Sequence, residues 1–143
     1  MNILILHGPN LNLLGEREPE IYGSETLKEI NDELQRRVQG LSILLKTEQS
    51  NHEGVLIDTI HENRTWADAL IINPGAFSHY SYAIRDAIAA FAKPTIEVHL
   101  SDITKREEFR KHSVLEGLNN VRRIMGKRAE GYYEALEILS NVK

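Results

Sequence analysis

Residues 6–23 contain an arginine and a tyrosine whose types and spacing suit base catalysis. The segment reads LHGPNLNLLGEREPEIYG, and its three glycines and two prolines disfavour a regular helix or strand. A phenol, with a reference pKa of about 10, is a weak base at neutral pH, but a guanidinium within about 4–6 Å favours its ionised form. We therefore interpret Tyr22 as a base that Arg17 activates, with Gly15 and Gly23 as hinges of a lid. The spacing alone also fits an ordinary loop, with the tyrosine hydroxyl on a backbone carbonyl and the arginine in solvent.

A carboxylate and an imidazole lie two residues apart in a predicted strand. Glu97 and His99 share one face of this strand, because side chains alternate between its faces. The carboxylate would fix the tautomer of the imidazole and favour its protonated form, as a general acid requires. His99 is therefore the candidate proton donor, although a buried histidine that bonds a glutamate for structural reasons has the same spacing. Just beyond it, the amides of Leu100 and Ser101 leave the sheet and would suit an anion.

Two further groups of polar residues lie close to predicted helices. Asn73 ends a buried strand and His79 lies near the start of the next helix, so together they offer donors and acceptors for a polyol. The same stretch also fits a simple turn in which Ser78 caps the helix. Arg106 and Arg110 are one helical turn apart and would reach one anionic group, or else form a solvated face.

The hydrophobic pattern predicts the elements that position these residues. Apolar runs indicate strands at residues 2–6, 42–48, 69–73, 94–100 and 121–125. The first predicted helix begins at a capping box on Thr26 and carries a stripe of apolar residues through Leu41. Further helices are predicted at residues 55–66, from Ser78 onward, at residues 104–110 and at residues 130–139.

This alternation predicts a parallel sheet, because parallel strands need crossover connections. We expect an α/β, flavodoxin-like three-layer fold: a five-stranded parallel sheet with helices on both faces. Residues 1–143 would form a single catalytic domain. The carboxyl ends of its strands would bring Asn10, Asn73 and His99 to one crevice.

Composition argues against several classes of protein. A formal net charge of −4 disfavours nucleic acid or a membrane surface as partner, and no apolar run approaches the roughly twenty residues of a membrane span. The chain has no cysteine, so thiol nucleophiles and thiolate metal sites are excluded. Its histidines lack metal-ligand spacing, and phosphate-binding and dinucleotide loops are absent. These features predict a cytoplasmic protein without a metal site.

Three blocks of sequence resemble type II 3-dehydroquinate dehydratase. The first block is HGPNLNLLG from residue 7, followed by REP from residue 17 and IYG from residue 21. The second is NPGAFSHYSYAIRDA from residue 73, and the third is EVHLS from residue 97, followed by REEFRKHS from residue 106. The resemblance implies a hydro-lyase of the shikimate or quinate route that uses no cofactor. Its substrate would be 3-dehydroquinate, dehydrated by anti elimination through an enolate to 3-dehydroshikimate. Such proteins are usually homododecamers, built as tetramers of trimers.

The resemblance also implies a role for each matching residue. Tyr22 would take the C2 proton with help from Arg17, Asn10 would hold a water near the enolate oxygen, and His99, oriented by Glu97, would protonate the departing hydroxyl. The remaining positions would bind substrate. Asn73, His79 and Arg110 would hold the ring hydroxyls, and the amides of Leu100 and Ser101 would hold the carboxylate. Asp86 would reach the site of a neighbouring subunit.

Two stretches depart from the family pattern. Asp102 replaces a common asparagine and would put negative charge near the anion site, and residues 121–131 are more polar than is usual. The alternative from another class is a flavodoxin-like, non-catalytic binding or signalling module. A receiver domain would need acidic residues where His7 and Asn73 stand, and a flavin carrier would need a phosphate loop after the first strand.

Overall fold

Five parallel strands form one sheet in the order β2-β1-β3-β4-β5 in the computed structural model, which describes residues 1–141. This is the predicted flavodoxin-like order. The strands are β1 (Asn2–His7), β2 (Leu44–Gln49), β3 (Ala69–Asn73), β4 (Thr95–His99) and β5 (Val121–Met125). The helices are α1 (Pro19–Tyr22), α2 (Leu27–Val38), α3 (Glu53–Asn63), α4 (Tyr82–Phe91) and α5 (Glu130–Ser140).

The sheet is buried on both faces, as the apolar runs of β1 and β3 predict. In β1, Ile3 and Ile5 join the core beneath α2 and α5, whereas Leu4 and Leu6 join the core beneath α3 and α4. The two edge strands tolerate polar residues. In β2 half-buried and exposed residues alternate, and in β5 only Ile124 is buried, so the polar Arg122 and Arg123 sit in a strand as predicted.

Two helices begin at capping side chains. In α2 the Glu29 N–H donates to the Thr26 hydroxyl at 3.2 Å, as the capping-box pattern predicts. The helix ends at Val38, so Leu41 is exposed and does not continue the apolar stripe. The cap of α4 is Ser81, which accepts from the Ile84 N–H at 3.1 Å. The expectation that Ser78 starts this helix was wrong, because a separate 3-10 helix occupies Gly75–His79.

Three other boundaries differ from the sequence predictions. Helix α3 covers Glu53–Asn63 rather than residues 55–66, because the chain turns after Asn63 to enter β3. Residues 104–110 are not one helix but two short 3-10 turns, Ile103–Lys105 and Glu108–Arg110. Asp102, not Thr104, caps the first turn, since its carboxylate accepts from the Thr104 N–H at 3.0 Å. Residues 6–23 are also more regular than predicted, with a 3-10 turn at Leu11–Leu13 and the short α1.

Candidate active site

One pocket opens at the carboxyl ends of β1, β3 and β4, where the strand order reverses and ligands bind in folds of this type. Nine of the eleven residues to which the family resemblance assigns a role line it, and Arg106 lines it as well. The nine are Asn10, Arg17, Tyr22, Asn73, His79, His99, Leu100, Ser101 and Arg110. Because these residues come from five separate segments, their convergence is a property of the fold.

The loop after β1 is held against the end of β3 by its backbone. The Gly8 N–H donates to the Asn73 carbonyl at 2.8 Å. A Cβ at Gly8 would lie 2.6 Å from the Pro74 carbonyl carbon, so only glycine allows this approach. Asn10 then adopts a left-handed conformation at φ 68°, which asparagine tolerates better than most residues. Leu11 and Leu14 are buried and fix the loop to the core, leaving Asn10 in the pocket wall.

Tyr22 lies at the end of α1, with two guanidinium groups close to it. The short helix begins where Glu18 adopts φ 38° and Pro19 supplies a preset helical φ. The Arg17 guanidinium carbon lies 4.8 Å from the centroid of the tyrosine ring. Arg106 reaches the phenolic oxygen itself: its Nη1 lies 3.2 Å from Tyr22 Oη and also donates to the Ser101 hydroxyl at 3.1 Å.

His99 is oriented by a buried carboxylate. Its Nε2 lies 2.5 Å from Glu97 Oε2, and the pair is almost completely buried, with exposures of 5% and 1%. The Ser113 hydroxyl donates to the same carboxylate oxygen at 2.5 Å. Glu97 does not line the pocket, so it acts on His99 from behind. This contact fixes the ring orientation and places a negative charge against the imidazole.

Polar groups on the opposite side of the pocket have well-defined partners. The Asn73 side-chain oxygen accepts from the Gly75 N–H at 3.1 Å. His79 Nδ1 donates to the His112 carbonyl at 2.7 Å, which directs Nε2 away from this bond. Burial lowers the pKa of His79, and the nearby His99 and Arg110 act in the same direction. His79 is thus a neutral hydrogen-bonding group, while Arg110, paired with Glu107, supplies a cation.

Two sequence candidates stand outside the pocket, and two contacts were missed. Glu97 lies behind His99, and Asp86 is exposed on α4. The contact of Arg106 with the tyrosine hydroxyl, and the support that Ser113 gives Glu97, were not predicted. Arg106 was recognised only as half of an arginine pair, because its distance of 84 residues from Tyr22 hides the contact.

The Asp102 carboxylate does not line the pocket but accepts from the Thr104 backbone and hydroxyl. These hydrogen bonds lower the pKa of Asp102. The negative charge expected near the anion site is therefore engaged in the turn at Ile103–Lys105.

Within residues 1–141, no three or more His, Asp or Glu side chains are grouped so as to hold a metal ion. None of the helices in the same part of the chain has the length and apolar character to cross a membrane.

A tyrosine beside two guanidinium groups and an imidazole backed by a carboxylate, in one pocket of a flavodoxin-like sheet, define an α/β enzyme of the acid–base type. The family model for class II dehydroquinase matches residues 1–140. The chain therefore belongs to the class II dehydroquinase family.

Individual relatives agree with this assignment. The chain is 54% identical to a 3-dehydroquinate dehydratase of Pelotomaculum thermopropionicum, covering 95% of this chain and 94% of the relative. It is 50% identical to a 3-dehydroquinate dehydratase of Halothermothrix orenii, covering 98% and 94%. The crystal structure of the type II dehydroquinase of Butyrivibrio crossotus superposes with a TM-score of 0.94 at 44% identity, covering 99% and 98%. The non-catalytic binding or signalling alternative is accordingly not favoured.

Proposed function

We propose that this protein removes water from 3-dehydroquinate to give 3-dehydroshikimate, in the shikimate pathway. Membership of the class II dehydroquinase family and the relatives' activity support this function. The observation that carries it is that the Tyr22 phenol and the His99 imidazole line the same pocket. An elimination needs a base for the proton and an acid for the leaving hydroxyl, and these two groups supply both.

In the proposed first step, Tyr22 takes the proton from C2 and negative charge moves to the ketone oxygen as an enolate. Arg106 lies 3.2 Å from the phenolic oxygen and Arg17 lies against the ring, so two positive charges lie next to the group that acts as base. Asn10, also in the pocket wall, would hold a water at the enolate oxygen. Preorganised donors at an oxygen that gains charge lower the barrier.

In the second step, the enolate collapses, the C1–O bond breaks and a double bond forms between C1 and C2. His99 donates its proton to the departing hydroxyl, which leaves as water. Glu97 holds the imidazole ring in place through its contact of 2.5 Å. A positioned general acid contributes roughly 10²- to 10⁴-fold to such a step.

The remaining pocket residues would bind the ring. Asn73, His79 and Arg110 offer polar groups for the hydroxyls of the substrate, and the amides of Leu100 and Ser101, which also line the pocket, would bind its carboxylate. Asn73 lies at the end of β3, whereas His79 and Arg110 lie on 3-10 turns, so both the sheet and the turns at its edge position the binding groups.

We further propose that residues 1–143 act as a single catalytic domain in the cytoplasm, within a homododecamer built as a tetramer of trimers. The family resemblance supports this assembly. Asp86 is exposed on α4 outside its own pocket, a placement that suits contact with the site of a neighbouring subunit. Sedimentation or light scattering of the purified protein would measure the subunit number.

The decisive experiment is an assay with 3-dehydroquinate that follows the absorbance of the conjugated enone product. Tyr22→Phe removes the base but keeps the ring, so turnover should fall by at least about 10²-fold. The matched control is Tyr133→Phe, since the Tyr133 hydroxyl contacts Glu25 outside the pocket; it should retain full activity. Turnover by the Tyr22 variant at the wild-type rate would remove this residue from the mechanism, and an inactive wild type would refute the function.

A further inference from the structure

The lid that carries the proposed base is residues 15–23. Gly15 and Gly23 at its ends adopt left-handed φ angles of 89° and 94°. Tyr22 and Arg17 both belong to this segment and line the pocket, so the position of the lid sets the position of the base. Segments of this kind move between open and closed positions during turnover. The contacts that hold the lid over the pocket therefore bear directly on catalysis.

Arg128, in the turn between β5 and α5, reaches the lid from outside the pocket. Its Nη2 donates to the Glu20 carbonyl at 3.0 Å, across 108 residues of sequence. Glu20 lies in the short helix α1, whose last carbonyls have no acceptor role within the helix and suit a basic side chain. The aliphatic part of Arg128 lies against the end of the lid, since a Cβ at Gly23 would lie 3.3 Å from Arg128 Cδ. Arg128 does not line the pocket, so it does not contact substrate.

The turn that carries Arg128 is bonded to the loop after β4. The Arg128 N–H donates to the Leu100 carbonyl at 3.0 Å. The Gly126 N–H donates to the carbonyls of His99 and Ser101 at 3.2 and 3.1 Å. This loop supplies the proposed acid and the amides for the substrate carboxylate. The turn therefore connects the acid side of the pocket to the lid that carries the base.

The backbone of Arg128 does not account for an arginine at this position. Its φ of 52° is left-handed, a conformation that disfavours any residue with a Cβ. A glycine would make the same backbone hydrogen bonds without this strain. The contacts that require an arginine are those of its side chain with Glu20 and Gly23.

We propose that Arg128 is a positioning residue that holds the lid against the acid side of the pocket, so that Tyr22 and Arg17 are in place when the proton is removed. The side chain acts on the lid backbone and not on the substrate. This inference rests on the proposed function.

The test compares Arg128→Gly with Ala92→Gly. Arg128→Gly removes the side chain and keeps the left-handed backbone. Ala92, at the end of α4, is an exposed residue with a φ of 57° and lies outside the pocket. Both substitutions relieve backbone strain, but only the first loses the contact with Glu20. The control therefore reports what glycine alone does to the protein.

Hydrogen–deuterium exchange, measured by mass spectrometry, tests the contact without substrate. The N–H groups of Tyr22 and Gly23 donate to carbonyls at the start of α1, so their exchange reports opening of the lid. In Arg128→Gly these amides should exchange about tenfold faster than in wild type, the effect of one lost hydrogen bond from a charged group. Amides of β1 and β3 should exchange no faster. Unchanged exchange in the lid would overturn the proposal, and so would an equal acceleration in Ala92→Gly.

Turnover of 3-dehydroquinate tests the consequence for catalysis. Arg128→Gly should lower kcat/KM by about tenfold, because the base is in place for a smaller fraction of the time. Ala92→Gly should stay within about twofold of wild type. Equal kcat/KM values for the two variants would overturn the positioning role. A wild type that does not turn over 3-dehydroquinate would refute the proposed function, while exchange would still test the contact between Arg128 and the lid.

Discussion

The Glu97 carboxylate should be required for its charge, and Glu97→Gln isolates that charge. Both hydrogen bonds, from His99 and from Ser113, end on the same oxygen of Glu97. A glutamine can place its carbonyl oxygen there and keep both bonds, so the substitution removes little except the negative charge. At 2.5 Å, unit charges attract by about 2 kcal/mol at the dielectric constant of water and about 7 kcal/mol at an effective value of 20.

The upper value of this attraction exceeds the free energy that a general acid contributes to catalysis. The burial of the pair favours the upper part of the range, whereas loss of general-acid catalysis costs roughly 10²- to 10⁴-fold, or about 3–5 kcal/mol. We therefore expect kcat of Glu97→Gln to fall by roughly 10²- to 10⁴-fold. The KM should change by less than about threefold, because Glu97 does not line the pocket.

The assay is the appearance of the conjugated enone, with circular dichroism to establish that the variant is folded. Ser113→Ala is the matched control, since it deletes one hydrogen bond to the same oxygen but leaves the charge. It should lose far less activity than Glu97→Gln. A kcat of Glu97→Gln within about threefold of wild type would refute the role assigned to the charge, and so would an equal loss in the serine variant.

Two further predictions concern stability. Gly8→Ala would force a Cβ to 2.6 Å from the Pro74 backbone and should lower the free energy of unfolding by about 1–3 kcal/mol. The control Gly54→Ala, with nothing within 4 Å of its Cβ, should raise the free energy of unfolding by about 0.5–1 kcal/mol through helix propensity. Urea titration measures both values, and an unchanged stability of Gly8→Ala would contradict the close approach. The pKa of His7, about 4 in the folded state against about 6.5 unfolded, means that the unfolded chain binds more protons between these values. The contribution of neutral His7 is thus fully present above about pH 6.5 and falls by about 3 kcal/mol as the pH drops to about 4. Urea titrations of wild type and His7→Gln at both ends of this range should reveal a difference that depends on pH; a constant difference would show that His7 is not the group responsible.

The sequence by itself determined the sheet and most of the site. Short apolar runs such as residues 69–72, cut off by Asn73 and Pro74, indicate strands covered on both faces, and their alternation with helical patterns indicates parallel order. The strand ends then place Asn10, Asn73 and His99 at one crevice. Spacing within a single strand was also sufficient to pair Glu97 with His99, because side chains alternate strictly along it.

Only the tertiary structure decided the contacts between segments that are distant in the chain. Arg106 meets the Tyr22 hydroxyl across 84 residues, and Ser113 meets Glu97 across 16, neither of which a local pattern encodes. The helix starts show the same limit: Ser78 and Ser81 are equally good caps by residue type, but Ser78 lies inside the 3-10 helix Gly75–His79, and Ser81 accepts from the Ile84 N–H. Residue types and periodicity specify the elements, but the packing of loops at the sheet edge fixes which polar groups meet there.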